Sequence, residues 1–583
     1  MDIDKIIERN KRLEDLKKMY QSYDFGKGHI YILGQGSIGP SLLYMILKIF
    51  IIKQNQITVI DMKPIDQLTG IIKYVVAAAR PDEKLEIEII SKMIEENNYK
   101  DIFMQNGKMK LTKNDIIIDC SFDICTLDLF KLCQESGCGF VSSSLESWNY
   151  KDINDPYSYT LHSFISELRE YVDSLKKNKI ELNFNGLIDM GCNPGMVNIW
   201  AKLAVDKINE HYGNKKHKTP EELDIRTVHI SEYDTQRSVV PKEIDEYCNT
   251  WASTCEPFYE EALAPVEMSF GSHEEKPQQK YIVHLDDNDK YISLNRLCSE
   301  TIAQSYTPGY KNYIGILIRH AENLTIGEAL STYEEKDGKK IRKWSPSVYY
   351  VYHPTNETMA SICELKEKNY KYQSKTRLLT KEILDGRDEL GLSLFLGNGD
   401  VFWIGSMLDV HEARDVYEQR FNDKINATIV QVIGGYLSGI MHVLDKNKKG
   451  DYTGLLIPDD LPYKQIYERM KPFYGEFVFK KVEDWDSNMN TRSLTFKEFK
   501  EGGVNKKPEW TLKDFLIEPH IFGYDVPKTI EKNKIGGKAG GKKKRVYQKG
   551  GGAIDFNNNK LSNSQLSNKL RYTLDKTISD MLQ

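Results

Sequence analysis

Residues His29–Phe50, HIYILGQGSIGPSLLYMILKIF, decide how the first part of this chain folds. The stretch opens on a short apolar, β-prone run, passes Gly34, Gly36 and Gly39 at G-x-G-x-x-G spacing, and continues as an apolar run of helical character. Strand, glycine turn and helix in that order are the fingerprint of a dinucleotide-binding unit. The first glycine makes the tight turn, the second lets the backbone approach a pyrophosphate, and the third lets the helix pack closely on the strand. Gly34, Gly36, Ser37, Ile38 and Gly39 are therefore the candidate cofactor-binding residues, with a helix N-terminus facing the anion.

The glycines alone are a weak signal, but their sequel strengthens it. QITVIDMKP reads as a second strand ending in Asp61, about twenty residues on, where a carboxylate binds a ribose 2′-hydroxyl. Asp61 favours NAD over NADP, because it would repel a 2′-phosphate. DIIIDCSFDICT reads as a third strand, followed by helical LDLFKLCQESG and strand-like CGFVSSS. This alternation predicts an α/β fold with a Rossmann-type doubly wound parallel sheet. Ligands of such sheets bind beyond the carboxyl ends of the strands. There stand Asp123, then Glu146 and Trp148 in SSSLESW, and Asn193 in MGCNPGMVN. Each also has a plain structural reading: Asp123 as a helix cap, Glu146 as a solvated charge, Asn193 before Pro194 as a turn residue.

From about residue 198 the pattern becomes mixed, predicting a second, α+β substrate domain. Its most informative stretch is His229–Trp251, HISEYDTQRSVVPKEIDEYCNTW, with Glu232, Asp234, Gln236 and Arg237 in a tight polar run and an acidic turn ending at Trp251. A carboxylate and an indole face hold an organic cation without bonding to it, the first by charge, the second by its ring quadrupole. That points to a cationic amine substrate, although the stretch also reads as a surface loop with an ordinary core tryptophan. Beyond it come Glu260 and Glu261 in FYEEALAP, His320 and Glu322 in IGILIRHAENLTI, His353 in YVYHPTNET and Asp388 in ILDGRDELG. NATIVQVIGGYLSGIMHVL reads as a buried helix that uses glycines for close packing.

Length and composition set the outer limits. A chain of 583 residues exceeds what one hydrophobic core serves. The expected division is an N-terminal helix over residues 1–24, an NAD-binding Rossmann domain over 25–197, a substrate and catalytic domain over 198–500, and a C-terminal extension over 501–583. A helix near 426–444 is the candidate to return to the first domain. Eighty basic against eighty-five acidic residues give a formal charge of −5, which argues against nucleic acid or an anionic membrane as main partner and tolerates a cationic small molecule. Nine cysteines without a C-x-x-C pair suit a reducing compartment. The apolar run Leu42 to Ile52 is interrupted by Lys48 and is far short of a bilayer span, and the N-terminus lacks an apolar h-region, so a cytoplasmic location is expected. GGKAGGKKKRVYQKGGG is predicted to be disordered; Lys542–Arg545 within it reads as a solvated basic linker, or as a localisation signal or nucleic-acid contact.

Taken in order, GQGSIGP, LESW, GCNPGMV, EYDTQR with NTW, ILIRHAEN, YHPTNE, DGRDELG, WIGS and NATIVQV resemble the homospermidine synthases of bacterial type, relatives of saccharopine dehydrogenase, over roughly residues 28 to 445. The resemblance implies an NAD-dependent aminobutyl transfer from putrescine or spermidine to putrescine through an imine. NAD acts as a prosthetic group that takes up and returns a hydride, and ammonia is released. It further implies that Glu232 and Glu146 are carboxylates near the reacting amine, that Asn193 and His320 orient, and that Trp251 offers a cation–π face. Asp123, Glu261 and Asp388 would line the substrate channel, with no metal and a homodimeric assembly. Glu260 competes with Glu261 for its place, and which carboxylate acts as base stays open. Asp119 departs from the family's more neutral pattern, and nothing in the resemblance explains the basic tail. The rival readings are a net NAD(P)-dependent oxidoreductase of the saccharopine or carboxynorspermidine dehydrogenase type, for which Arg237 is the nearby basic residue, and a non-catalytic NAD and polyamine binding module.

Overall fold

The structure, a computed structural model, describes residues 3–148, 160–285, 290–336, 338–417, 421–485 and 509–518. The glycine- and lysine-rich segment with Lys542–Arg545 lies outside the described residues. Helix α1 (Ile3–Met19) leads the chain, and its Arg9 and Arg12 pair with Asp415 and Glu412.

The first sheet is built from β1 (Ile30–Leu33), α2 (Ile38–Ile49), β2 (Ile57–Asp61), α3 (Ile65–Ala79), β3 (Glu88–Ser91), β4 (Ile116–Asp119), α4 (Thr126–Ser136), β5 (Gly139–Ser142), α5 (Leu161–Lys177) and β6 (Asn185–Leu187). In space the strands run β6-β5-β4-β1-β2-β3, and every neighbouring pair is parallel. β1, β4 and β5 are buried along their whole length. This is why they are continuous apolar runs and not alternating ones: helices cover both faces of a parallel sheet. The sequence reading missed β3. LEIEIIS alternates charged and apolar residues, and the strand is a half-exposed edge, so Ile116–Asp119 is the fourth strand of the sheet in chain order, not the third.

Helix α6 (Met196–His211) leads into the second sheet, which is mixed. Its strands are β7 (Ile225–Asp234), β8 (Pro265–Ser269) after helix α7 (Glu256–Leu263), β9 (Ile282–Leu285), β10 (Tyr291–Leu297), β11 (Ile302–Thr307) and β12 (Lys311–Ile318). Helix α8 (Glu322–Leu330) then precedes β13 (Ser347–His353), β14 (Arg387–Leu396) and β15 (Val401–Asp409). After them come helix α9 (Ala427–Lys449), β16 (Gly454–Leu456) and β17 (Glu476–Lys481). The order is β9-β10-β8-β13-β7-β14-β15-β17, with β12 also beside β13 and β11 beside β12. Central β7 is parallel to β13 and antiparallel to β14. The protein is thus α/β, a Rossmann-type parallel sheet followed by a mixed α+β part.

Helix α9 ties the two sheets together. It packs on α2, β5 and β6, and β16 behind it joins the first sheet as a seventh, parallel strand beside β6. Glycine permits the approach: a Cβ at Gly435 would lie 1.8 Å from the carbonyl oxygen of Gly191. α9 is long and apolar enough to cross a membrane by length and composition, but 89% of its apolar window is buried inside the protein.

Candidate active site

A cleft of about 1040 Å³ opens at the carboxyl ends of β1, β2, β4 and β5 and extends to the ends of β7 and β13. Ligand pockets commonly span about 300–1,000 Å³, so a dinucleotide and a small substrate fit together. Gly34, Gly36, Ser37 and Ile38 line it. Gly39 does not; a Cβ there would lie 2.2 Å from the Gly34 carbonyl oxygen, so this glycine serves the packing of α2 on the turn. Gly34 holds a left-handed φ of 87° against the Cys120 carbonyl.

Asp61 closes β2 at the cleft edge. Its carboxylate accepts from the backbone N–H of Gln35 at 2.5 Å and of Lys63 at 2.8 Å, and pairs with Lys63 Nζ at 3.3 Å. Met62 and Met93, 68% and 57% exposed, offer apolar surface beside it. The basic side chains Lys63 and Lys92 gather at this end.

The opposite end is acidic. Asp123, Glu146, Asp189, Glu232, Glu256, Glu260 and Glu261 all line it, together with Asn193, Trp251 and His320. Glu232 projects from β7, where Asn193 Nδ2 donates to its Oε2 at 2.7 Å and the Tyr350 hydroxyl donates to the same oxygen. Burial pushes Glu232 up to about 7; the Asp234 charge adds to this, while the Tyr350 and Asn193 hydrogen bonds hold it back. Burial, then Glu260 and Glu256, push Asp123 up to about 6. Burial also lifts Glu146 well above the carboxylate range, helped by Glu260, Asp123 and Asp119. Asp189 is raised to about 8 by burial and by Glu322. These shifts share one cause, several carboxyls in a dry cleft with few counter-charges, and an incoming cation relieves it.

His320 stands between two carboxylates, Nε2 at 3.2 Å from Glu261 and Nδ1 at 3.0 Å from Glu322. Burial opposes its charge, but Glu322 and Glu261 outweigh burial and raise it well above the usual histidine range. Trp251 follows the short strand Glu246–Asn249 in a turn that Asn249 fastens through its Oδ1, which accepts from Trp251 N at 2.9 Å. The Ser37 hydroxyl donates to the Trp251 carbonyl, which joins the Trp251 backbone to the glycine turn. Asn426 caps α9 by accepting from Ile429 N at 2.9 Å, and its amide donates to the Thr250 carbonyl at 2.6 Å.

The cleft therefore brings together Glu232, Trp251, Glu146, Asn193, His320, Asp123 and Glu261, with Glu260 also on its wall. Asp388 is the exception. It is 0% exposed and absent from the cleft wall, because it faces Asp234 across the β7–β14 register behind Glu232. Asp388, expected to line the substrate channel, thus stands behind the cleft wall. Arg237 is 59% exposed at its side chain, pairs with Asp385 at 2.5 Å and does not line the cleft. Arg319 does line it, but its guanidinium is committed to Glu267 at 3.6 Å.

Reading the sequence missed Tyr350, Asp189, Glu256 and Thr428, which also line the cleft. Tyr350 lies in VYYVYH, a buried strand pattern that gives no hint of a polar task. Asp189 has one local signal, its left-handed φ of 55° ahead of Gly191, visible only in the fold.

The model of the saccharopine dehydrogenase NADP binding domain matches residues 30–180. A homospermidine synthase of Mesorhizobium japonicum is 27% identical over 508 residues, 84% of this chain and 96% of that protein. One of Blastochloris viridis is 28% identical over 464 residues, 77% of this chain and 90% of that protein. The crystal structure of a Legionella pneumophila homospermidine synthase in complex with NAD superposes with a TM-score of 0.69 at 27% identity, covering 85% of this chain and 99% of that one. Over most of its length, then, the chain is similar to homospermidine synthases, and residues 30–180 match the saccharopine dehydrogenase NADP binding domain.

Proposed function

We propose that the chain is an NAD-dependent homospermidine synthase that moves an aminobutyl group from putrescine, or spermidine, to putrescine and releases ammonia. The observation that carries this reading is the polarity of the cleft: carboxyls and an indole at one end, a glycine turn and Asp61 at the other. The cradle fits a dinucleotide, since Gly39 leaves no room for a side chain and Asp61 stands where a ribose hydroxyl is held. Asp61 favours NAD, and Met62 and Met93 supply apolar faces for a purine. When bound, the nicotinamide takes up a hydride and returns it, so the cycle has no net redox change.

The chain's own groups do the rest. Hydride leaves a carbon only if the attached amine is neutral, and diamines are dicationic at neutral pH, so a base must first take a proton from the amine nitrogen. Glu232, poised near 7 and oriented by Asn193 and Tyr350, is that base. The second amine adds to the resulting imine carbon, ammonia then leaves that carbon to form the new imine, and reduction of this imine completes homospermidine. Trp251 faces the cationic amine and imine, a contact worth about 2 kcal/mol when desolvated, or about thirtyfold in rate if felt only in the transition state. His320, held between Glu261 and Glu322, orients carboxylates around the chain of the substrate. Asp123, Glu260 and Glu261 suit the distal ammonium. The reading carries with it a cytoplasmic homodimer.

A dehydrogenase acting on amino acids would need a free basic group for the substrate carboxylate, and Arg237 lies outside the cleft in an ion pair. The deciding experiment supplies purified protein with NAD and putrescine: homospermidine forms without accumulation of NADH. Steady NADH accumulation would overturn the closed hydride cycle, and Trp251→Phe losing as much activity as Trp251→Ala would remove the ring-face role.

A further inference from the structure

Three carboxyls meet at the back of the cleft, Glu232 on its wall and Asp234 and Asp388 behind it. Glu232 and Asp234 come from β7, and Asp388 comes from β14, directly opposite Asp234 in the strand register. Such opposed side chains stand about 4.5–5.5 Å apart at Cβ, and like charges there repel. All three are buried, 2%, 2% and 0% exposed, and no ion pair reaches any of them among the described residues. The groups facing the cluster from the surrounding elements are Tyr350 and Tyr352 on β13, Cys192, Glu389 on β14, itself bound to Arg387, and His320 toward the cleft. On α9 the facing groups, Thr428 and Gln431, are neutral.

The donors are unevenly shared. Asp234 accepts from Gln236 N at 2.9 Å, from Gln236 Nε2 at 3.2 Å and from the Thr250 hydroxyl at 3.3 Å. Glu232 accepts from Asn193 and Tyr350. Asp388 accepts only the Thr428 hydroxyl, at 2.8 Å on Oδ2, while its buried Oδ1 meets no N–H or O–H donor among the described residues. Glu232 pairs with Leu390 and Asp234 with Asp388, so Asp388 is also the diagonal neighbour of Glu232 on the same face, a spacing that longer side chains bridge. Two carboxylates cannot bond to one another; a carboxylic acid and a carboxylate can.

We propose that Asp388 is kept as a neutral acid that donates its proton to Glu232, a positioning residue behind the base and not a contact of the substrate. The proton belongs on Asp388 because that carboxyl has the fewest donors and a bare buried oxygen, where a charge costs most. Burial raises both Asp388 and Asp234 well above the usual range, helped by Glu232 in the first and by Asp388 in the second, so the count of donors decides which of them holds the proton. The consequence is a base whose second neighbour is already satisfied. Glu232 takes the substrate's proton against the Asp234 charge alone, without a second like charge from Asp388, and Thr428 steadies the acid from the N-terminus of α9. The role of Glu232 at the substrate rests on the function proposed above; the protonation of Asp388 does not.

The test is infrared difference spectroscopy of the full chain at neutral pH, wild type against Asp388→Asn and Asp234→Asn. Asp388→Asn removes a protonated-carboxyl C=O band that shifts in heavy water, and Asp234→Asn removes none. Asp189, raised to about 8, gives a band of its own at neutral pH, so side-chain-labelled aspartate is introduced into the Asp189→Asn chain, where a shift of the remaining band assigns it to Asp388 without a change at Asp388 itself. In kinetics, Asp388→Asn lowers kcat and moves the acid limb of its pH profile while KM for putrescine stays within about threefold, as for an interaction acting through the base. An unchanged band in Asp388→Asn, a label-insensitive band, or a KM raised by more than about tenfold overturns the proposal. Should wild type fail to turn over putrescine at all, the function falls and the infrared result still decides Asp388.

Discussion

Replacing Tyr350 by phenylalanine removes one oxygen atom and, with it, one of the two donors on Glu232 Oε2. A hydrogen bond to a charged group contributes about 1.5–3 kcal/mol, and each pKa unit corresponds to about 1.4 kcal/mol, so Glu232 should rise by about one to two units. From its present position near 7 the ionised fraction at neutral pH would fall from about half to between about one and ten per cent. Tyr350→Phe is thus expected to lose about five- to fiftyfold in turnover at pH 7 and to regain most of it as pH rises past the new value. The sign follows from the base being needed deprotonated: activity increases with pH through the folded-state pKa of Glu232, and the variant moves that limb to higher pH. The assay is the pH profile of kcat/KM with product quantified by chromatography. A loss equal at every pH, or an acid limb that does not move, would refute the assignment of Glu232 as the base held by Tyr350.

Two further changes probe the frame around the site. Gly435→Ala places a methyl 1.8 Å from the Gly191 carbonyl oxygen; overpacking of this kind costs about 1–3 kcal/mol, so thermal unfolding should show a lowered Tm, and an unchanged Tm would mean that α9 is not wedged there. Arg237→Ala should leave putrescine turnover within about twofold, since exposed ion pairs contribute little; a large loss, or new dependence on carboxylate substrates, would revive the oxidoreductase reading.

The nucleotide half was legible because its rules are local. In GQGSIG the turn, the packing glycine and the following helix are neighbours in the chain, and Asp61 closes the next strand. The edge strand Glu88–Ser91 escaped notice because its charges mask the apolar residues that pair with β2. The amine end was legible only in part. Glu232 and Trp251 share one stretch of sequence, but Tyr350 reaches Glu232 across 118 residues and Asp388 faces Asp234 only because β7 and β14 pair antiparallel. A tyrosine in an apolar strand and an aspartate in an acidic turn look ordinary until the register is known, and a one-residue shift would send both to the other face.

One small link has a larger meaning. The hydroxyl of Ser37, at the mouth of the nucleotide turn, holds the carbonyl of Trp251, and a Cβ on the neighbouring Gly36 would crowd Ser253 Oγ at 2.8 Å. The glycine turn and the backbone that carries the aromatic wall are thereby joined directly, so a substitution at Ser37 is felt on both sides of the cleft.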